Sequence, residues 1–380
     1  MKKYNVILLL LDGARIDRIM KSPKFEKISK YGTLFSEMIT HAPYTLVSMN
    51  SIFTGMYGKR NGINAYYQMY ANPGEDCFTL AEYLSKNGWY TVGDAMRLSL
   101  VSHRGFDEIT SQEDIEHPDF VEIHSKIIDK IINKTNSEKP FFLYLHYPKI
   151  HHHIKENVFD KYDDFSEEYF SRKKENLEKY DIYLDESLEY LEKIFSKISD
   201  ENLLSNSIIV IMADHGMGVG EKIGERAYGI FTYDYSIKTF ALFIQPEIFS
   251  KNSINSELTE TIDILPTILD SLEIPEIESN KKIQGTSLRK LVLGTALEKN
   301  TERYAYSETG GVEGPWPSPE KPNVMCLRSK KWKLIHNLTP DSWELYNLEK
   351  DPEEVSNLID EDLNLTKFLK EKMFEIQNSI

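Results

Sequence analysis

Two apolar runs in this chain of 380 residues end alike. Val6-Ile7-Leu8-Leu9-Leu10-Leu11 runs into Asp12-Gly13, and Ile208-Ile209-Val210-Ile211-Met212-Ala213 runs into Asp214-His215-Gly216. An unbroken apolar run of strand length, closed by an acid and a glycine, predicts a strand buried on both faces that stops abruptly. Such strands belong in a mostly parallel sheet with helices on both sides, where ligands collect beyond the carboxyl ends of the strands. Two carboxylates and an imidazole are therefore expected at one sheet edge, although positions 12 and 214 lie far apart in the chain.

The remaining pattern agrees with an α/β fold. Strand-like runs recur at 89–93, 140–146, 207–213 and 239–244, separated by helical patterns at 22–30, 79–88 and 167–196. Composition shifts near 293–301. Beyond it lie short strand-like pieces at 324–327 and 332–335, a Gly/Pro-rich loop at 310–322 and a helical tail at 358–380. The expected division is a catalytic domain at 1–300 and a small C-terminal α+β subdomain at 301–380 packed on it.

Charge narrows the partners. A net charge of -15 speaks against a general binder of nucleic acid or membrane surfaces, both of which are anionic. Cys77 and Cys326 provide neither a disulfide framework nor a zinc spacing. The apolar run after Lys2-Lys3 is too short to span a bilayer. A cytoplasmic protein with no membrane insertion and a small anionic substrate is expected; the oligomeric state is left open.

Asp12, Asp214 and His215 together suit a divalent ion. Mixed oxygen and nitrogen donors favour zinc or manganese over magnesium or calcium. Taken singly, Asp12 reads equally well as a helix cap and Asp214 as a turn residue. The segment from His41 to Tyr57 is rich in small hydroxyl side chains near a helix start, where backbone N–H groups attract anions. A metal beside Thr45 would acidify its hydroxyl into a nucleophile. By position alone, Thr45 reads as a plain N-cap.

The order of motifs resembles the alkaline phosphatase superfamily, and within it the sulfatase-like branch. The resemblance is carried by Ile7 to Asp12, by Thr45 to Tyr57 with Arg60-Asn61-Gly62, and by Leu80 to Leu84 with Gly88-Trp89-Tyr90-Thr91. It continues through Gly105-Phe106-Asp107, Asp214-His215-Gly216, Asp263-Ile264-Leu265-Pro266-Thr267 and Gly285-Thr286-Ser287-Leu288. In the tail it includes Lys333-Leu334-Ile335, Glu344 to Leu348, Asp351-Pro352-Glu353-Glu354 and Asn357-Leu358. It implies that Asp12, Thr45, Asp214 and His215 hold one metal ion, that Thr45 is the nucleophile and that His151 serves the leaving group. A second ion is not expected, because no histidine lies between His215 and His336, where Tyr228 stands near the family's later ligand position.

Departures from the family pattern point to phosphorus. Thr45 occupies the position of the cysteine that sulfatases mature to formylglycine, Val47 that of the proline and Met49 that of the sulfate-binding arginine. Gly13 and His215 stand where sulfatases more often carry Asp and Asn. The expected activity is metal-dependent hydrolysis of phosphate diesters, monoesters or phosphonates through a covalent Thr45 intermediate. The alternatives are a sulfuric ester hydrolase, a soluble phosphoglycerol- or phosphoethanolamine-type transferase, and a non-catalytic binding protein. Lys222 and Arg226 are expected to neutralise substrate charge. Loops 68–76, 97–104, 151–164 and 310–322, with Tyr66, Tyr67, Tyr70 and Trp316, are expected to set specificity.

Overall fold

The computed structural model describes residues 3–115, 118–135, 139–279, 281–294, 302–310 and 321–380. Trp316, most of loop 310–322 and the expected division at 300 and 301 lie outside them.

Among the described residues nine strands form one sheet. They are β1 (Asn5–Leu11), β2 (Thr33–Ile39), β3 (Tyr90–Ala95), β4 (Glu108–Ser111), β5 (Phe141–Tyr147), β6 (Ser207–Met212), β7 (Lys238–Ile244), β8 (Ser253–Asn255) and β9 (Thr259–Glu260). Their spatial order is β4-β3-β5-β1-β6-β7-β2-β8, with β9 also on β2. β1 is central and parallel to both neighbours, so Leu10 lies opposite His146 on one side and Met212 on the other. Antiparallel pairing enters only through β7, against β6 and β2.

Alternate residues of β1 feed two cores. Val6, Leu8 and Leu10 join Phe142, Tyr144 and Val210 beneath Met49, Ile52 and Phe53 of helix α1 (Thr45–Thr54). Ile7, Leu9 and Leu11 join Leu143, Leu145, Ile209 and Ile211 beneath Tyr180, Leu184, Leu188 and Leu191 of helix α2 (Lys173–Asp200). With both faces covered, no polar residue is needed along the strand, which is why the run is unbroken. Each buried Leu or Ile contributes roughly 1.5–3 kcal/mol.

The C-terminal sheet is antiparallel, in the order β10 (Ala305–Thr309), β11 (Val324–Arg328), β12 (Trp332–Leu338) and β13 (Asp341–Asn347). Leu369 and Met373 of helix α3 (Leu363–Ser379) cover its Leu327, Leu334 and Leu345. Where this sheet meets the large one, Lys333 is fully buried between Asp234 at 2.8 Å and Glu354 at 2.7 Å. Arg328 also bridges Asp234 and Glu37, at 3.0 and 3.1 Å. Buried charges of this kind persist only when fully paired.

Three elements depart from the sequence reading. The helix expected at 167–196 is a short turn, Glu167–Ser171, followed by α2. β2 is hidden by half-buried Ser36 and Glu37, which sit where its pairing with β7 shifts register. Helix Phe120–Thr135 buries only Phe120, His124, Ile128, Ile131 and Thr135, and its polar face masked it. Among the described residues no helix is long and apolar enough to cross a membrane.

Candidate active site

Four strand-to-loop junctions meet at one edge of the large sheet. β1 ends at Asp12, and Gly13 then turns the chain through a left-handed φ of +74°, which favours glycine. β6 delivers Asp214 and His215. At Gly216 a Cβ atom would sit 2.2 Å from the Tyr235 carbonyl oxygen, so only glycine permits that close approach. β5 ends beside β1, and the turn after it, Lys149–Ile154, carries His151. Thr45 opens α1. Ser48, one turn on, donates to the Asp214 carbonyl at 2.8 Å and lies 2.8 Å from the Thr40 hydroxyl, tying this helix to the end of β6.

The expected residues converge. Thr45 Oγ1 lies 3.3 Å from Asp12 Oδ2 and 3.3 Å from His215 Nε2. His215 Nε2 is 3.4 Å from Asp12 Oδ1 and 3.6 Å from Asp214 Oδ2. His215 Nδ1 sits 2.7 Å from the Gly216 carbonyl, which can only accept, so Nδ1 carries the proton and Nε2 offers a lone pair to the site. His151 Nε2 is 3.0 Å from Asp12 Oδ1, and its Nδ1 meets the Tyr228 hydroxyl at 3.1 Å.

His146 was not singled out from the sequence. It is the penultimate residue of β5, fully buried, with Nε2 2.8 Å from Asp12 Oδ2. The Met96 N–H donates to its Nδ1, which leaves Nε2 as the donor to Asp12. A histidine near the end of an otherwise apolar strand was the available signal; the strand pairing was what was missing.

The electrostatics separate the two acids. Burial alone would raise Asp12, but the charges and hydrogen bonds of His151 and His146 outweigh it and hold the carboxyl well below its usual range. Asp214 is raised by burial and then by the charge of Asp12. Among the described residues neither oxygen of Asp214 makes a hydrogen bond, and Asp12 Oδ1 and His151 Nε2 also lack an aligned partner. Orphaned buried acids are expensive unless a cation meets them. Asp12, His151 and His215 each present a donor atom, all within 4.8 Å of one another. The donor set and its unmet oxygens fit a divalent ion.

Thr45 and His151 line a cavity of about 820 Å³, with Tyr44, Tyr66 and Tyr228 among its walls. Its cations are Arg97 and Lys155, from two of the loops expected to set specificity. Lys222 and Arg226 do not line it. Lys222 donates to the Glu354 carbonyl and lies 4.3 Å from the Tyr233 ring, at the junction of the two sheets. Arg226 pairs with Asp164 at 2.8 Å and donates to the Phe159 carbonyl at 3.2 Å. Both are structural cations, and that expectation is corrected. Met49 is fully buried in the core and offers the cavity nothing.

Nearby, Glu225 is buried and accepts from the N–H groups of Ile230 and Phe231 and from the Tyr235 hydroxyl, at 2.9, 3.0 and 2.5 Å. Burial outweighs these donors and raises its pKa from 4.5 to about 7. A folded-state pKa above the unfolded one contributes stability that is complete below about pH 4.5 and is lost as pH rises through about 7. The thermal midpoint should fall across that window, and Glu225→Gln should flatten the fall. Equal slopes in the two proteins would remove Glu225 as the cause.

Residues 4–274 match the sulfatase family, and residues 228–379 match the N-sulphoglucosamine sulphohydrolase C-terminal family. A delta 4,5-hexuronate-2-O-sulfatase of Bacteroides thetaiotaomicron is 32% identical over 168 residues, covering 44% of this chain and 33% of that protein. The aligned part of the chain spans about a third of the length of the first curated relatives. A structure solved in complex with its substrate D-glucosamine-2-N,6-O-disulfate has a TM-score of 0.72 at 17% identity, over 99% of this chain and 98% of the other. A phosphonate monoester hydrolase from Silicibacter pomeroyi has a TM-score of 0.73 at 13% identity, over 99% and 95%. At such identities these structures speak for the fold alone.

These matches overturn the expectation that placed phosphate esters first, since both families, and the curated relative, are named for removal of sulfate groups and none for phosphate. The error has a physical source. Thr45 and Met49 change the nucleophile and the local charge, and neither change distinguishes one tetrahedral oxyanion from another. With the sulfatase match spanning residues 4–274 and the fold agreeing throughout, the chain belongs to the sulfatase family of the alkaline phosphatase superfamily.

Proposed function

We propose that this protein hydrolyses sulfate esters with Thr45 as its nucleophile. The observation that carries the reading is a sulfatase-family fold in which the Thr45 hydroxyl stands 3.3 Å from both Asp12 and His215 on the wall of a cavity. Asp12, Asp214 and His215, with the Thr45 hydroxyl, would hold one divalent ion, zinc or manganese ahead of magnesium or calcium. When bound, it supplies positive charge that acidifies a hydroxyl and offsets charge on the sulfuryl oxygens.

The chain's own groups then do the following. Thr45 gives its proton to water in the cavity, because the Nε2 lone pair of His215 and the oxygens of Asp12 would be engaged by the ion. Its oxygen bonds to sulfur as the bond from sulfur to the ester oxygen breaks. The first-turn N–H groups of α1 have no intrahelical partners and favour negative charge at that point. His151, beside Asp12 and on the cavity wall, gives a proton to the departing alcohol. Water then attacks the sulfur of the Thr45 sulfate ester, releases sulfate and restores the hydroxyl.

The test is a paired assay on an aryl sulfate and a matched aryl phosphodiester, with and without a chelator. Chelator-sensitive sulfate release is expected. Phosphodiester turnover without sulfate release would defeat the reading.

A further inference from the structure

Gln112 follows β4, is half-buried and lines the cavity. Its Nε2 donates to Asp94 Oδ1 at 2.8 Å. Asp94 is fully buried near the end of β3, where the same oxygen accepts from the Thr110 hydroxyl at 2.5 Å and the other from His124 Nε2 at 3.1 Å. Behind it, the Tyr190 hydroxyl meets His124 Nδ1 at 2.5 Å.

This chain of bonds has one sense. Burial keeps His124 from charging, so it has a single ring proton. The Tyr190 O–H therefore donates to Nδ1, and Nε2–H donates to Asp94. An ionised carboxylate only accepts, so Gln112 must turn its NH₂ toward Asp94 and point its carbonyl oxygen away from it. No described residue donates to that oxygen, although Gln112 stands on the cavity wall. Glu113, Glu156 and Asp160 also line the cavity but are exposed, so water competes for them.

We infer that Gln112 Oε1 is a fixed hydrogen-bond acceptor of the cavity that reads a hydroxyl or N–H group on the alcohol half of the ester, with Asp94 as the positioning residue that sets its direction. The protein then selects esters of donor-bearing alcohols over apolar alcohols of equal size. The inference rests on the sulfate-ester reading for the ester itself, not for the alcohol.

The test measures binding by calorimetry, with manganese present, of a hexose sulfate and of cyclohexylmethyl sulfate. The wild type should bind the hexose sulfate about tenfold more tightly, the scale of one hydrogen bond to a positioned acceptor. Gln112→Leu, at a partly exposed position outside the core, should lose that preference. Asp94→Asn, which can offer either amide oxygen or nitrogen to Gln112, should reduce it. Far-UV circular dichroism checks that both variants fold. An unchanged preference in Gln112→Leu overturns the inference, as does a wild type that binds neither ester or shows no preference. Sulfate release is followed in the same samples. A preference that disappears in Gln112→Leu supports the inference even without turnover, and that combination would count against the reaction class alone.

Discussion

Thr45→Ala should reduce sulfate-ester hydrolysis by about a million-fold, the scale seen when a covalent nucleophile is removed, while leaving fold and ion content in place. The separation is expected because the hydroxyl contributes little to stability. Its two contacts, each 3.3 Å, lie at the long end of hydrogen bonding, and alanine is a better helix former than threonine at the start of α1. Asp12, Asp214 and His215 keep their places without it. Thr45→Ser should retain measurable turnover, because it keeps the oxygen. Steady-state kinetics beside elemental analysis of the purified proteins make the comparison. An alanine variant within tenfold of wild type would move the nucleophile elsewhere.

Asp214→Asn should act in two directions at once. Without an ion, Asp214 is a buried acid whose oxygens find no hydrogen-bond donor among the described residues, with Asp12 close by. Replacing it by a neutral isostere removes the buried charge and its repulsion from Asp12, and should stabilise the ion-free protein by about 1–3 kcal/mol. The same change removes a charged ligand, so ion-dependent stabilisation and hydrolysis should both disappear. Thermal melts of the two proteins with and without chelator read both effects. A variant that melts lower than wild type in chelator, or one whose midpoint still rises with added ion, contradicts the assignment of Asp214 as a ligand.

The parts of this site that were legible in the sequence are those written by local rules. β1 and β6 announce themselves because each is covered on both faces, and Gly13 and Gly216 mark the turns that follow. Thr45 could be placed at a helix start from its small, polar surroundings. What could not be read depends on strand order. His146 reaches Asp12 only because Leu10 pairs with it across β1 and β5. Lys222 and Arg226 have the right charge and the right position after His215, yet their partners come from distant segments that no local pattern reveals. Arg97, which does line the cavity, lies in loop 97–104, one of those expected from the sequence to set specificity. The chemical class of the ester was least legible, since the residues that differ from the family pattern alter reactivity without naming the atom attacked.

The placement of β1 at the middle of the large sheet has a consequence for how the protein matures. Asp12 meets His151 only after β1 has paired with β5, and meets Asp214 and His215 only after it has paired with β6. Both pairings are parallel and close long loops, the contacts that form slowly during folding. Tight capture of an ion at this site would therefore be a late event, absent from any intermediate that lacks one of these pairings. Such an ion would have little hold on half-built chains and would stabilise the finished sheet by mass action.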